Sequence, residues 1–186
     1  MDQHLPDDDR PARGDLGLDL LKGVAAGIVA TWVIDRVDWF MYGLESDETH
    51  RRTWAARPEG KDPAHVIASR ASEALGAGAI PQDHPAGTAV HWAIGVAPVA
   101  LYGALRERVP VVGAGRGLAF GFGMFVAEDE VINPALGFAA GPTAYPWSPH
   151  ARGLVAHLVY GLVADAVLRA LSPRASRRET RRGGSH

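Results

Sequence analysis

The sequence predicts an all-α integral membrane protein: a four-helix bundle of two repeated transmembrane hairpins, with a short extra helix in the first external loop. Two observations carry this prediction. Four segments of the 186-residue chain are apolar and long enough to cross about 30 Å of hydrocarbon as helices. Short glycine patterns also recur between the first and third of these segments, and between the second and fourth. Because the tails are polar, the mean hydropathy of the whole chain is only -0.04.

The composition excludes several classes of function. The chain has no cysteine, so it cannot form a disulfide framework, a zinc finger, a thiol nucleophile or an iron–sulfur cluster. Its formal net charge of -2 and its five scattered tryptophans do not indicate a surface that binds nucleic acid. We therefore expect the lipid bilayer as the main partner, and leave open a homo-oligomer or another membrane protein.

The predicted spans cover residues of about 16–42, 86–105, 117–138 and 153–171. The second span is the clearest, because Thr88 and His91 are its only polar side chains apart from the aromatic ones. A soluble bundle is disfavoured, since none of the four segments has the broad charged face of a solvent-exposed helix. The membrane domain is expected over residues 16–172, between a disordered acidic tail at 1–15 and a basic cytoplasmic tail at 173–186.

Arginines indicate the orientation of the spans. Three of them, Arg106, Arg108 and Arg116, lie between the second and third spans, and five more follow the fourth. By the positive-inside rule this side is cytoplasmic, so both termini are expected there. The first connection, residues 44–85, then lies outside, although it also carries basic residues. Within it, the sequence predicts a short helix over Pro63–Leu75, capped by Asp62 and resting on the bundle or the membrane surface.

Two spacings make the chain look like two copies of one helical hairpin. In the second and fourth spans, the matching patterns are Gly87-x3-His91-x3-Gly95 and Gly153-x3-His157-x3-Gly161. In the first and third spans, they are Gly23-x3-Gly27-x7-Asp35 and Gly117-x3-Gly121-x7-Asp129. Small residues four apart let helix backbones approach closely in lipid, so the glycines mark predicted contact faces. The repeat makes Asp35 equivalent to Asp129, and His91 equivalent to His157.

The repeat places ionisable residues at a common depth. At about 1.5 Å per residue, His91 and His157 lie roughly 8 Å below the outer helix ends, and Asp35 and Asp129 near 10 Å. An unpaired aspartate at a helix centre costs at least about 2.5 to 3.5 kcal/mol, so such a layer needs pairing, protonation, water or a metal. The candidate site residues in this buried layer are Asp35, Asp38, His91, Glu128, Asp129, Glu130 and His157.

The connection over residues 142–152 forms a second feature of the outer side. Its three prolines predict that it forms no regular helix, and Tyr145 and Trp147 suit the headgroup layer. His150 and Arg152 are candidates for an entrance above the buried layer. Asn133-Pro134 is expected to end or kink the third span just after its three acidic residues.

Two longer runs resemble a known family. They extend from Gly115 to Pro134, GRGLAFGFGMFVAEDEVINP, and from Gly141 to Gly161, GPTAYPWSPHARGLVAHLVYG. Both resemble the YagU-like family of small bacterial inner-membrane proteins of uncertain function, and the first two spans look similar too, so the resemblance covers about residues 17–171. It implies a multi-pass protein of the inner (plasma) membrane, loosely connected with tolerance of acid. It implies no reaction and no ligand set for these residues.

Three hypotheses for the function follow. The first is an acid-responsive protein whose buried layer senses or conducts protons. The second is a bound divalent metal, because bundles hold metals with imidazole and carboxylate groups; its ligands would be Asp35, His91, Glu128, Asp129 and His157. A less favoured variant has His91 and His157 as the axial ligands of a haem. The third is a structural or partner-binding bundle. No nucleophile–base arrangement, phosphate loop or zinc-protease signature occurs in the sequence, so we do not expect an enzyme.

Overall fold

The computed structural model describes residues 16–106, 108–109 and 111–172, and this part of the chain contains helices, turns and no strand. Both predicted tails lie outside the described residues. The α-helices are α1 (Leu16–Tyr42), α2 (Asp47–Ala56), α3 (Pro63–Ala74), α4 (Pro85–Leu105), α5 (Leu118–Met124), α6 (Asn133–Ala135) and α7 (Trp147–Leu171). A π-helical segment, Phe125–Ile132, joins α5 to α6 without a break. Single 3₁₀ turns occupy Pro58–Gly60, Ala114–Gly117 and Pro142–Ala144.

Three helices are long and apolar enough to cross a membrane: α1, α4 and α7. They correspond to the predicted first, second and fourth spans. Helix α7, however, begins at Trp147 rather than near residue 153. The prediction that prolines exclude a regular helix up to residue 152 was therefore wrong. Pro149 lies in the first turn of α7, where a backbone N–H has no acceptor within the helix, so its missing donor costs nothing.

The third predicted span is not one regular helix. It runs from Leu118 to Ala135 and ends before residue 138. Pro134 cannot donate a backbone hydrogen bond to the carbonyl four residues earlier. The backbone widens ahead of it, and the N–H of Asn133 reaches the carbonyl of Glu128, five residues back. The three consecutive acidic residues of this span all lie in the π-helical segment, a backbone form that is frequent at functional sites.

Helix α1 packs antiparallel against α4 through its glycines. A Cβ atom built on Gly23 would lie 2.5 Å from the Cα of Ala100, and one built on Gly27 would lie 2.9 Å from the carbonyl oxygen of Val96. Only glycine permits backbones this close. Because the partner number falls as the α1 number rises, the two helices run in opposite directions. This confirms that Gly23 and Gly27 mark a contact face.

Helix α7 runs antiparallel to both α1 and the α5–α6 segment. Near the start of α1, Lys22 Nζ donates a hydrogen bond of 3.2 Å to Ser172 Oγ, just after α7 ends. A Cβ on Gly121 would lie 3.2 Å from the Cα of Leu158, and one on Gly153 would lie 3.0 Å from Asp129 Oδ2. The chain therefore passes four times along the bundle in alternating directions, and Leu16 and Leu171 lie at the same end of it.

The first connection covers the other end of the bundle. Asp62 caps α3 as predicted, because its side chain accepts a hydrogen bond from the backbone N–H of His65 at 3.0 Å. The His65 ring packs on α4 in the space that a side chain at Gly87 would occupy. The nearest neighbour of Gly87 is therefore a side chain of the connection, whereas the pattern predicted a contact with another span. Arg70 donates to the carbonyls of Leu136 and Gly137 at 3.0 and 2.7 Å, which fixes α3 to the end of α6.

Candidate functional site

Most of the predicted site residues line one cavity of about 740 Å³. Its walls come from α1, α4, the π-helical segment and α7, and the first connection contributes residues from Trp54 to Gln82. The predicted residues that line it are Asp35, Asp38, His91, Glu128, Asp129, Arg152 and His157. Glu130 and His150 do not line it, and they form a separate pair.

The first acid–histidine pair joins α1 to α4. Asp35 Oδ1 and His91 Nε2 are 2.8 Å apart, so the imidazole donates to the carboxylate or shares a proton with it. The sequence predicted only that these two residues lie at a similar depth on neighbouring spans, and pairing was one of several arrangements that it left open. The side chain of His91 is 46% exposed, however, so the expectation of a uniformly buried layer was wrong for this residue. The pair lines an open cavity and is not sealed in the core.

The second acid–histidine pair joins α7 to the π-helical segment. His157 Nδ1 donates to the carbonyl of Gly153 at 2.9 Å, which leaves Nε2 facing Glu128 Oε2 at 3.9 Å. Asp129 Oδ2 lies 3.7 Å from Nδ1 of the same ring. Two carboxylates thus share one imidazole at distances longer than a hydrogen bond. The absence of a side chain at Gly153 leaves space for Asp129 beside α7.

Arg152 was predicted to lie at an entrance above the layer, but the structure buries it beside the end of α1. It is only 8% exposed, and its Nε lies 3.4 Å from Asp38 Oδ1 and 3.5 Å from Glu45 Oε1. Its guanidinium carbon sits 5.1 Å from the centre of the Tyr42 ring. Two carboxylates and an aromatic face compensate the burial of this cation. Asp38 therefore belongs to an arginine cluster and not to a histidine pair.

Glu130 and His150 form a close pair outside the cavity. His150 Nδ1 lies 2.6 Å from Glu130 Oε1, and Nε2 lies 2.9 Å from the carbonyl oxygen of Pro142. A carbonyl can only accept, so Nε2 donates to Pro142, and the two contacts hold the imidazole between the π-helical segment and the connection before α7. The prediction that Glu130 joins the layer was wrong, because neighbouring helix residues point in different directions.

Residues of the first connection complete the cavity, and the sequence did not indicate this. Gln82 Nε2 donates to Asp62 Oδ2, and His65 Nδ1 lies 2.9 Å from the same carboxylate oxygen. Burial raises the pKa of Asp62, but the hydrogen bonds from Gln82 and His65 outweigh it and hold the pKa below 3.8. Asp62 therefore stays ionised. Beside it, burial lowers the pKa of Arg57, whose guanidinium carbon lies 4.2 Å from the centre of the Trp54 ring.

A second polar cluster lies at the opposite end of the bundle, around Asp165. This carboxylate is 4% exposed, and its Oδ1 accepts hydrogen bonds of 2.9 Å from both Tyr102 and Arg106. Its Oδ2 lies 2.6 Å from Arg169 Nη2. Asp165 was not predicted, although a carboxylate within an apolar span is by itself a signal for a functional or paired group.

Aromatic rings separate the two polar regions. The Tyr102 and Phe120 rings are stacked with their centres 4.4 Å apart, and Phe120 stacks on Tyr160 at 5.8 Å. Tyr160 lines the cavity and donates a hydrogen bond of 2.5 Å to the carbonyl of Gly95. The cavity therefore ends at an aromatic layer, and the Asp165 cluster lies beyond it.

The metal and haem alternatives gain no support from the geometry. Within the described ranges, no three His, Asp or Glu side chains lie close enough together to hold one metal ion. The haem variant needs free space beside Gly95 and Gly161. A Cβ on Gly95 would lie 2.5 Å from Thr31 Oγ1, and one on Gly161 would lie 2.8 Å from the backbone N of Gly121. Helix contacts therefore occupy the space that a ring would need.

Comparison of the chain with protein-family models, with curated proteins and with solved structures finds no match. The function is therefore inferred from the chemistry of the cavity.

Proposed function

We propose that this chain is a small multi-pass protein of the bacterial inner membrane that senses acid, and that its cavity is the proton-binding site. One observation carries the proposal: Asp35–His91 and Asp129–His157 line the same cavity. Carboxylates and imidazoles together change protonation over about pH 4 to 7. A fall in external pH would therefore change the charge of several groups that contact one another.

Protonation alters the contacts between helices. When an imidazole gains a proton its attraction to a carboxylate grows, and when the carboxylate is protonated as well the ion pair is lost. Each pair connects two different helices, so its protonation state changes the force between them. The other charged or titratable groups on the cavity wall are Asp38, Tyr42, Arg57, Asp62, His65, Glu128, Arg152 and Tyr160. Asp62 stays ionised under mild acid, so the response comes from the remaining acids and the histidines.

Two features favour sensing over conduction. The aromatic layer of Tyr102, Phe120 and Tyr160 lies between the cavity and the opposite end of the bundle. Beyond that layer, Asp165 is held between two guanidinium groups. The two guanidinium groups place fixed positive charge beyond the aromatic layer, and this charge opposes the passage of a proton. A proton entering the cavity would therefore bind there and return to the same side.

The proposal includes four membrane crossings with both termini in the cytoplasm. The alternating directions of α1, α4, the α5–α6 segment and α7 support it, as does the Lys22–Ser172 contact, which brings the two ends of the described chain to one side. The arginines near this side support a cytoplasmic location for it by the positive-inside rule. Membership of the YagU-like family remains part of the proposal, since it rests on the sequence runs alone.

The proposed duplication explains why each hairpin carries one acid–histidine pair. The helix contacts within the two hairpins are similar but displaced. Gly23 lies against Ala100, whereas its equivalent Gly117 lies against Gly161, which corresponds to Gly95. This difference of five residues equals a slide of about 7.5 Å along the helix. The slide accounts for the longer distances from His157 to its two carboxylates, 3.7 and 3.9 Å, compared with 2.8 Å between His91 and Asp35.

Intrinsic tryptophan fluorescence of the protein in lipid nanodiscs tests the proposal, because Trp39 and Trp54 line the cavity. Between pH 8 and 4 we expect a sigmoidal change in the wild type, and its loss or displacement in the double variant Asp35→Asn/Asp129→Asn. Asp19→Asn is the matched control, since Asp19 pairs with Arg108 at the other end of α1. A flat response in the wild type, or the same curve in the double variant, would contradict the proposal. Bound metal that is lost on His91→Ala would instead support the metal alternative.

A further inference from the structure

Two guanidinium groups line the cavity, and the first of them has no anionic partner. Arg57 and Arg152 both belong to its wall. Within the described residues, the side chain of Arg57 forms no hydrogen bond and no ion pair, and its guanidinium carbon lies 4.2 Å from the centre of the Trp54 ring. The face of a ring attracts a cation but supplies no oxygen acceptor for its N–H groups. These donors are therefore available to a ligand.

Arg152 is buried, and most of its donors are also unused. Its Nε makes no hydrogen bond in the described part of the chain. Asp38 and Glu45 both contact this same atom, at 3.4 and 3.5 Å. The two Nη groups therefore remain for a ligand in the cavity. A buried guanidinium is costly unless its donors are hydrogen-bonded, so this side chain independently indicates a bound acceptor.

The two arginines lie close to one another, beside Tyr42 and Trp54. Burial lowers the pKa of Arg57, the charge of Asp62 offsets part of this shift, and the charge of Arg152 lowers the pKa further. Arg152 lies 5.1 Å from the centre of the Tyr42 ring, and Trp54 Nε1 donates a hydrogen bond of 3.3 Å to Tyr42 Oη. An anion with several oxygens, placed beside Tyr42, therefore has both guanidinium groups as neighbours.

The rest of the cavity wall opposes a simple anion. Five carboxylates line the cavity against the two guanidinium groups, so an anion alone meets an excess of negative charge when the histidines are neutral. A ligand that also carries a cation removes this repulsion. Asp129 is close by, because its Oδ2 lies 3.0 Å from the Cβ position of Gly153, the residue after Arg152. The wall therefore suits a zwitterion, with its anion at the arginines and its cation at Asp129.

Exposed tryptophans indicate that the cavity opens at the level of lipid headgroups. Trp39 lines the cavity, is 68% exposed and lies in the last turn of α1. Trp147, which is also exposed, begins α7. Tryptophan is enriched at the membrane interface, so both rings mark this level in the proposed membrane orientation. The volume of about 740 Å³ falls within the range of about 300–1,000 Å³ that is typical of small-molecule sites, and is large enough for a headgroup.

We propose that the cavity binds the phosphoethanolamine headgroup of an outer-leaflet phospholipid, with the phosphate at Arg57 and Arg152 and the ammonium group at Asp129. Phosphate oxygens match the planar donors of guanidinium groups, and a primary ammonium group donates hydrogen bonds to a carboxylate. A choline headgroup has no N–H donor, and a glycerol headgroup has no cation, so both are poorer ligands. The inference rests on the proposed function in that both use this cavity in a membrane-embedded chain.

Native mass spectrometry of the full chain in detergent tests this inference. The protein is titrated at pH 8 with phospholipids that have identical acyl chains and carry ethanolamine, choline or glycerol headgroups. We expect the first ethanolamine lipid to bind at least about fivefold more tightly than either of the others. Arg57→Gln should remove this preference. Arg51→Gln is the matched control, because Arg51 pairs with Glu48 on the exposed surface of α2, and the preference should be unchanged.

Arg152→Lys tests the second guanidinium group while keeping a cation beside Asp38 and Glu45. Lysine retains the charge and lacks the planar fork, so the preference should weaken, and helical circular dichroism identifies a variant that fails to fold. Equal binding of the three lipids, or an unchanged ethanolamine preference in Arg57→Gln, would overturn the inference.

Soluble phosphoethanolamine distinguishes a lipid from a free ligand. We expect it to displace the lipid only at a far higher concentration, because it lacks the acyl chains that hold the headgroup at the cavity. Equal affinities of the soluble and lipid forms would overturn the assignment to a bilayer lipid.

The sensing proposal and the headgroup site can fail separately. The acid response is measured in nanodiscs of choline lipids alone, which lack the proposed ligand, so a flat response there refutes only the sensing proposal. Loss of the lipid preference with an intact acid response refutes only the headgroup site.

Discussion

The contact between α5 and α7 can be tested with two glycines of one helix. Gly121 faces α7, and a Cβ added there would lie 3.0 Å from the carbonyl carbon of His157 and closer still to its oxygen. Gly123, two residues later, has nothing within 4 Å of such an atom. Gly121→Ala therefore forces two backbones apart, whereas Gly123→Ala adds a methyl group in open space. The two variants have the same composition.

The expected loss of stability in Gly121→Ala follows from this geometry. Backbone atoms cannot rotate out of the way, so α5 must move from α7 by at least about half an ångström, and forced packing of this kind costs about 1–3 kcal/mol. For a chain of this size, that lowers the melting temperature by about 3–10 °C. Thermal unfolding followed by circular dichroism at 222 nm in one detergent compares the two variants. Equal melting temperatures would refute the close packing of this segment against α7.

Three further predictions concern other parts of the molecule. Asp165→Asn removes the charge shared by two guanidinium groups and should lower the free energy of unfolding by about 3 kcal/mol, measured by chemical denaturation. Asp62→Ala should cost about 1 kcal/mol at pH 7 through loss of the α3 cap. Because the pKa of Asp62 is depressed in the folded state, this difference should persist from pH 8 to 5 and shrink as the pH falls below about 4. The chain has no cysteine, so in intact cells an impermeant maleimide should label Leu75→Cys but should label Ser172→Cys only after lysis.

The spanning helices could be predicted because they follow from composition. Lipid requires a long apolar helix, and α1, α4 and α7 satisfy that requirement whatever their neighbours are. Helix α3 was predicted from Asp62 followed by Pro63, a local capping signal. Helix α2 was missed, although Ser46 before two acidic residues is the same kind of signal. The early start of α7 and the π-helical segment were not predicted. Both depend on how the backbone adapts to a nearby proline.

Only part of the site could be predicted, because sequence patterns show which way a side chain points and not which distant residue it meets. Helical periodicity predicted that Asp35 and His91 point into the bundle; the two side chains meet at 2.8 Å, although His91 is 46% exposed. It could not identify partners that are far apart in the sequence. Arg106 and Asp165 are 59 residues apart, and they meet only because α4 and α7 lie side by side. Likewise, the contact between His65 and Gly87 depends on how the first connection folds back onto α4.

The proposed function requires that the imidazoles of His91 and His157 each gain a proton as the pH falls. Ring ¹⁵N NMR of these two histidines in bilayers between pH 8 and 4 measures this most directly. We predict that both rings change protonation within this range, and that Asp35→Asn alters the titration of His91 while Asp129→Asn alters that of His157. Rings that keep one protonation state throughout, or titrations that neither variant changes, would contradict the account.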